Sequence, residues 1–205
     1  MYPTLEGVVP HTIRSMRKGD RKNICGLTLN THTGTHIDYP QHIYEGHENG
    51  DVIEELTYRK VIALAIAAKE GQSIEKAQLQ GYENEIKNCN LLLIRTGFGE
   101  YRRSDPERYT KWNPGLSEGA ALYLKATFPA LMAVGIDVIS IGSFIRPRES
   151  HRVHEILLDS ESRPPIFIIE DMNLSQCIAR MQAVYIYPLF AGFDGSPCII
   201  VGETE

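Results

Sequence analysis

Long apolar runs are missing from this sequence: nowhere do about 18 apolar side chains follow one another, as a membrane-spanning helix requires. The opening segment, Met1 to Asp20, also lacks the apolar core of a signal peptide, so the expected location is the cytoplasm. An excess of positive charge is missing too. Lys and Arg number 21 against 26 Asp and Glu, a net charge of −5, which leaves no basic footprint for nucleic acid or an anionic membrane. Cysteine is sparse. Cys25, Cys89, Cys177 and Cys198 lie far apart, without a CxxC pair or the dense framework of small secreted domains, and read as reduced, mostly buried thiols. No internal repeat, low-complexity tract or Ser/Gly linker divides the chain, so residues 1–205 are expected to form a single domain.

What is present suits a packed core, with 42% of residues hydrophobic. Seven β-prone runs stand out, at 24–30, 60–67, 90–95, 134–139, 165–169, 184–189 and 198–201. Several carry Val, Ile and Leu at successive positions, as in Leu91-Leu92-Leu93-Ile94, the pattern of strands covered on both faces. Helices are expected at 117–126, opened by Ser117-Glu118, and at 73–79, each between strand candidates. Strands alternating with helices predict an α/β fold.

Chemistry concentrates in one place. Between Thr31 and His47 stand four of the seven histidines and one aspartate, in His32-Thr33-Gly34-Thr35-His36-Ile37-Asp38-Tyr39-Pro40-Gln41-His42 and the His47 beyond it. Imidazole and carboxylate together suit Zn²⁺, Mn²⁺ or Fe²⁺ and leave room for water, whereas a structural zinc site would favour thiolates. Residues 32, 36, 38 and 42 share one face of an extended strand. A straight strand would nevertheless part His32 from Asp38 by roughly 20 Å, too far for one coordination sphere. The segment must therefore curl, with Gly34 supplying the permissive backbone and Pro40 ending the ladder. His36 and Asp38 can still reach one ion from a single pleat, with Thr33 and Thr35 supporting them. His47 sits in a turn-like polar stretch and reads as surface.

Further ligands must come from elsewhere. In Ser150-His151-Arg152-Val153-His154-Glu155 either histidine is eligible, and His154, which precedes an apolar run, is preferred. Glu170 follows Ile166-Phe167-Ile168-Ile169 and so emerges at a strand end, where α/β folds place their sites. Tyr39, Tyr44, Phe98, Tyr101 and Trp112 are candidate walls of an apolar substrate pocket.

The pattern HxGTHxDxPxH, filled by His32, Gly34, Thr35, His36, Asp38, Pro40 and His42, resembles the cyclase family of metal hydrolases, which includes bacterial kynurenine formamidases and isatin hydrolases. The likeness continues through Leu92-Leu93-Ile94-Arg95-Thr96-Gly97, Val134-Gly135-Ile136-Asp137, His154-Glu155-Ile156-Leu157-Leu158, Ile169-Glu170-Asp171-Met172 and Asp194-Gly195-Ser196-Pro197. It implies a swivelling β/β/α fold, a homodimer or homotetramer, and one or two ions of zinc or manganese. By position it makes His32, His36 and Asp38 ligands of a first metal, and Asp38, His154 and Glu170 the shared or second set. His42 becomes the acid/base histidine, or a ligand when two ions bind. One departure is the stretch 159–165, which lengthens the separation of His154 from Glu170.

The resulting expectation is an arylformamidase-like hydrolase. A metal-activated water would cleave a small-molecule amide, an aryl formamide such as N-formylkynurenine or a related cyclic amide, with an imidazole moving the proton near neutral pH. Lactone opening or dehydration at the same centre, and metal binding without turnover, are the competing readings.

Overall fold

A computed structural model of the chain describes residues 7–46, 56–176 and 180–204, so His47 and Cys177 lie outside the described residues. The first half holds β1 (Val9–Arg14), β2 (Ile24–Thr28), β3 (His36–Asp38), β4 (Leu56–Tyr58), β5 (Val61–Ala65), β6 (Ser73–Ile74), α1 (Lys76–Gln80), α2 (Glu83–Ile86) and β7 (Leu91–Arg95). The second holds α3 (Tyr101–Ser104), α4 (Pro106–Lys111), β8 (Gly115–Leu116), α5 (Glu118–Thr127), β9 (Ala133–Ile136), α6 (Pro147–Leu158), β10 (Phe167–Glu170), β11 (Arg180–Met181), β12 (Ala183–Pro188) and β13 (Gly195–Glu203).

Nine strands form one mixed sheet in the order β11-β5-β7-β9-β10-β3-β13-β12-β4. Its β5, β7, β9 and β10 run parallel, and β3 lies antiparallel between β10 and β13. The fold is thus mixed α/β. The parallel strands carry apolar residues at every position because both faces are covered: Leu92 and Ile94 join one core with Leu124, Val153 and Leu157, while Leu91 and Leu93 join another with Ile37, Tyr39 and Val184.

The same alternation sets the chemistry. Ile37 is buried in the second core, which turns its neighbours His36 and Asp38 to the opposite face of β3. In the β3–β10 ladder Glu170 pairs with His36 and Ile168 with Asp38, so Glu170 shares that face. Helix α6 covers it. Pro147 opens α6, where a missing N–H costs nothing, and Val153, Ile156 and Leu157 face the core.

Several expectations need correction. Ser73 and Ile74 are not helical; they pair with Gly115 and Leu116, and the helix starts at Lys76, where Glu75 and Gln78 form a capping box. The strand expected over 134–139 ends at Ile136. Asp137 turns away to accept from the Thr96 and Gly97 backbone N–H groups and the Thr96 hydroxyl. The β-prone run at 24–30 does form a strand over 24–28, and that strand is half of an exposed β1–β2 hairpin outside the main sheet. Cys25 is exposed, while burial pushes the Cys89 and Cys198 thiols up to about 12. Among the described residues no helix is long and apolar enough to cross a membrane.

Candidate metal centre

The curl expected around Gly34 is present, with Gly34 in the left-handed region at φ 68°. From that bend His36 folds back so that its Nδ1 meets the Gly34 carbonyl at 2.8 Å. His154 repeats the arrangement from α6, its Nδ1 lying 2.7 Å from the Ser150 carbonyl one turn earlier. A carbonyl only accepts, so each Nδ1 carries a proton, and each Nε2 is the nitrogen that offers its lone pair once the ring is neutral, as a metal ligand must be. Both Nε2 atoms face the same carboxylates. That of His36 is 3.3 Å from Asp38 Oδ1 and 3.4 Å from Glu170 Oε2, and that of His154 is 3.2 Å from Glu170 Oε1 and 3.8 Å from Asp38 Oδ2. His32 Nδ1 closes the group at 2.9 Å from Asp38 Oδ1.

Buried His36 Nε2 and both Asp38 carboxylate oxygens have no well-aligned hydrogen bond among the described residues despite these short distances. Leaving such groups unsatisfied costs about 1–3 kcal/mol each, and more when they are charged. Lone pairs that converge without bonding one another fit a shared cation, and the backbone carbonyls behind the imidazoles are the outer support such a site requires. The donor set of nitrogen and oxygen fits zinc or manganese. Three groups could hold an ion by proximity: His32, His36 and Asp38; Asp38, His42 and His154; and His32, His42 and Asp194.

Charge reinforces the cluster. Burial opposes a protonated His32, but Asp194 and Asp38 outweigh it and raise the ring to about 9. Burial likewise opposes charge on His36 and His154, yet Asp38 and Glu170 hold both above the ordinary imidazole value. Burial pushes Asp38 up, whereas His36 and His32 pull it well below the usual carboxylate range. Glu170 is held at about 2 by His154 and His36, against burial and the neighbouring Asp38.

A cavity of about 420 Å³ opens over the cluster, lined by His32, His36, His42, His154, Glu170 and Asp194 together with apolar Ile43, Ile139 and Pro147. His42 follows the short turn begun by Pro40 and stands at the wall, its ring 4.3 Å from that of His32 and 5.7 Å from that of His154. His151 is at the rim, with 61% of its side chain exposed and Glu155 3.4 Å away.

Support comes from Asp171, directly after Glu170. Its carboxylate takes Arg102 through two bonds of 2.6 and 2.7 Å and the Tyr109 hydroxyl at 2.6 Å, and its carbonyl accepts from the Thr35 hydroxyl. Thr35 therefore ties the loop before His36 to the end of β10. Thr33 makes no such link: its buried hydroxyl has no partner among the described residues.

The aromatic residues expected as pocket walls do not line this cavity. Tyr39 and Phe98 are buried in the two cores, Tyr44 donates to the Glu155 carbonyl, Tyr101 stacks on Arg108, and Trp112 is exposed. One site residue was absent from the sequence candidates. Asp194 Oδ2 lies 2.8 Å from His32 Nε2 and 3.4 Å from His42 Nδ1, and both imidazoles hold its carboxyl well below the usual range. Its sequence signal, the run Asp194-Gly195-Ser196-Pro197, belongs to the family likeness but assigns Asp194 no role.

The Cyclase family model matches residues 5–143, more than half of the chain. This protein belongs to the cyclase family. Cyclase-like protein 2 of Oryza sativa subsp. japonica is 25% identical to it over 203 residues, covering 95% of this chain and 71% of that protein. An Arabidopsis thaliana relative, also named Cyclase-like protein 2, is 26% identical over 193 residues, 91% of this chain and 68% of that protein. Among solved structures, isatin hydrolase A from Ralstonia solanacearum superposes with a TM-score of 0.73 at 18% identity, covering 100% of this chain and 84% of that one. A structure described as a predicted metal-dependent hydrolase from Bacillus stearothermophilus gives 0.66 at 22% identity, covering 95% and 86%. The cyclase fold of these hydrolases is thus the fold of this chain.

Proposed function

We propose that this cyclase-family protein is a metal-dependent hydrolase that cleaves the carbon–nitrogen bond of a small-molecule amide, an aryl formamide or a cyclic amide. One observation carries the reading. Two imidazoles with their Nδ1 atoms tied to backbone carbonyls aim Nε2 lone pairs at the same two buried carboxylates, on the floor of an open cavity. A purely structural site would be closed, whereas this one keeps an approach for substrate and water. The likeness to isatin hydrolase A, a solved structure of the same fold, favours a cyclic amide among the candidate substrates.

His32, His36 and Asp38 would hold one divalent ion, zinc or manganese, and Asp38, His154 and Glu170 would hold or share another. Such an ion, when bound, supplies Lewis acidity toward the carbonyl and acidifies water. His42 stands at the wall, where it takes a proton from the attacking water and returns it to the departing nitrogen. Ile43, Ile139 and Pro147 offer an apolar surface for an aromatic ring. A homodimer or homotetramer belongs to the same reading, because the exposed β1–β2 hairpin has no core of its own.

The test is elemental analysis of protein purified without chelator, followed by assays on N-formylkynurenine and isatin with zinc or manganese restored. Metal near one or two equivalents and turnover of either compound is expected. His36→Ala should lose both metal and activity, while His42→Ala should keep the metal and lose about 10²–10⁴-fold in turnover. A wild-type protein without affinity for either ion would overturn the reading.

A further inference from the structure

Asp194 stands at the cavity and gathers three side chains of the motif loop. Its Oδ1 accepts from the Thr31 hydroxyl at 2.8 Å, and its Oδ2 faces His32 Nε2 at 2.8 Å and His42 Nδ1 at 3.4 Å. The backbone fixes it independently of the side chain, since the Asp194 carbonyl accepts from the Tyr39 N–H at 3.0 Å. Gly195 then pairs with Asp38 in the β3–β13 ladder. A Cβ at Gly195 would stand 2.9 Å from the Ile37 carbonyl and 3.1 Å from His32 Cε1, so only glycine lets Asp194 come this close behind the rings.

We infer that Asp194 is a positioning residue that sets the tautomer and orientation of both His32 and His42 from behind. A carboxylate only accepts, so the nitrogens that face it are the protonated ones: Nε2 of His32 and Nδ1 of His42. His32 also faces Asp38 Oδ1 with its Nδ1, at 2.9 Å, so without metal both nitrogens carry protons; an ion held with Asp38 would displace the Nδ1 proton and leave the one that Asp194 keeps on Nε2. His42 is left with its Nε2 lone pair for the cavity, the form a proton acceptor needs. The arrangement is a carboxylate–histidine pair of the kind that orients both metal ligands and general bases. During turnover His42 gains one proton at Nε2 from water and gives it to the leaving nitrogen. Asp194 gains and loses none; its negative charge stabilises the transient imidazolium. The single carboxylate thus links a ligand of the proposed first ion to the proposed proton carrier.

The kinetic arm of the test rests on the hydrolase reading, and a spectroscopic arm does not. Ring-nitrogen NMR of protein labelled in its histidine side chains, with and without zinc, reports the tautomer of each imidazole; His42→Ala and His32→Ala identify the two rings. The wild type is expected to show His42 protonated at Nδ1. Asp194→Ala should convert it to a mixture or to the other tautomer. Thr31→Val, which removes only the hydroxyl behind Asp194, should give a smaller change in the same direction and covers the case in which the alanine variant does not fold. In the active protein, Asp194→Ala should lower kcat about 10–100-fold with a smaller change in KM, and the number of bound ions should not fall. Loss of one equivalent of metal would make Asp194 a ligand, and unchanged His42 resonances in both variants would remove its positioning role. Absence of turnover in the wild type would instead count against the hydrolase reading, leaving the NMR result to decide this one.

Discussion

His32 meets a carboxylate at both ring nitrogens, Asp38 at one and Asp194 at the other. In the metal-free protein this raises its pKa from 6.5 to about 9, despite the opposing effect of burial. The sign of the consequence follows from linkage. A group bound more tightly to its proton in the folded state contributes stability that is complete below about 6.5 and is lost as pH rises through about 9. His36 and His154, raised in the same direction, add to the trend. Metal binding has the opposite dependence, because a ligand imidazole must first give up the proton that the carboxylates help it keep. Urea midpoints measured with chelator should therefore fall between pH 6.5 and 9, while zinc affinity rises over the same interval and protons are released on binding. Parallel slopes for the two quantities would show that these imidazoles are not both proton-loaded and metal-bound in turn. At this scale the motif loop is legible in sequence because its members lie within a few residues of one another and Gly34 marks the bend. Asp194 is not, because 162 residues separate it from His32 and only the pairing of β13 with β3 brings it behind the ring.

The elements bring together site residues that the chain keeps apart. The stretch 159–165 lies between His154 and Glu170, yet the two side chains are 3.2 Å apart. The intervening residues are held toward α5. Lys125 donates from its ammonium to the carbonyls of Leu157, Asp159 and Pro164 at 3.2, 2.6 and 3.2 Å, and Arg163 donates back to the carbonyls of Lys125 and Phe128. This closes the C-terminal end of α6, whose last carbonyls have no helical partner, while the positive charge suits the helix dipole. Lys125→Met would take this donor from the Asp159 and Pro164 carbonyls, while Leu157 keeps the Ile166 N–H, and should cost about 1–3 kcal/mol of stability. Burial lowers the Lys125 pKa from 10.5 to about 8, so the unfolded chain binds more protons than the folded one between those values and this group adds stability as pH rises. The gap between wild type and Lys125→Met in chemical denaturation should accordingly widen from pH 8 to 10.5; a gap that narrows would contradict the buried placement of the ammonium. The apolar strands β7, β9 and β10 could be read from sequence because both faces are covered and every position is apolar. Helix α6 could not, since its Arg, Glu and His residues on the exposed side break the apolar run and its core face emerges only when α5 packs against it.

For the whole molecule, the α/β class follows from alternating strands and helices, but the β1–β2 hairpin does not follow from that pattern. The run at 24–30 reads only as β-prone, and its hairpin with β1 is exposed, with Val9 and Ile13 on β1 and Leu27 on β2 at 48%, 58% and 61%. A two-stranded hairpin is marginal in water without a third strand or a helix to pack on, and among the described residues this one pairs only within itself. Another apolar surface remains open on the main sheet, where Tyr187 and Ile199 are cross-strand partners on β12 and β13 and both are exposed, as is Val201. Scattered exposed apolar residues need no explanation, but a hairpin without a core and an uncovered apolar ladder in one chain are mutually suited surfaces for a second copy. Light scattering of the purified chain is therefore expected to give a dimer or tetramer. Ile13→Asp combined with Leu27→Asp should shift it toward the monomer, with loss of protection in the hairpin by hydrogen exchange and little change at the metal centre. Persistence of the assembly in that variant would place the contact elsewhere, with Ile199→Asp as the next position to test, whereas a monomeric wild type would require the hairpin to be stable on its own.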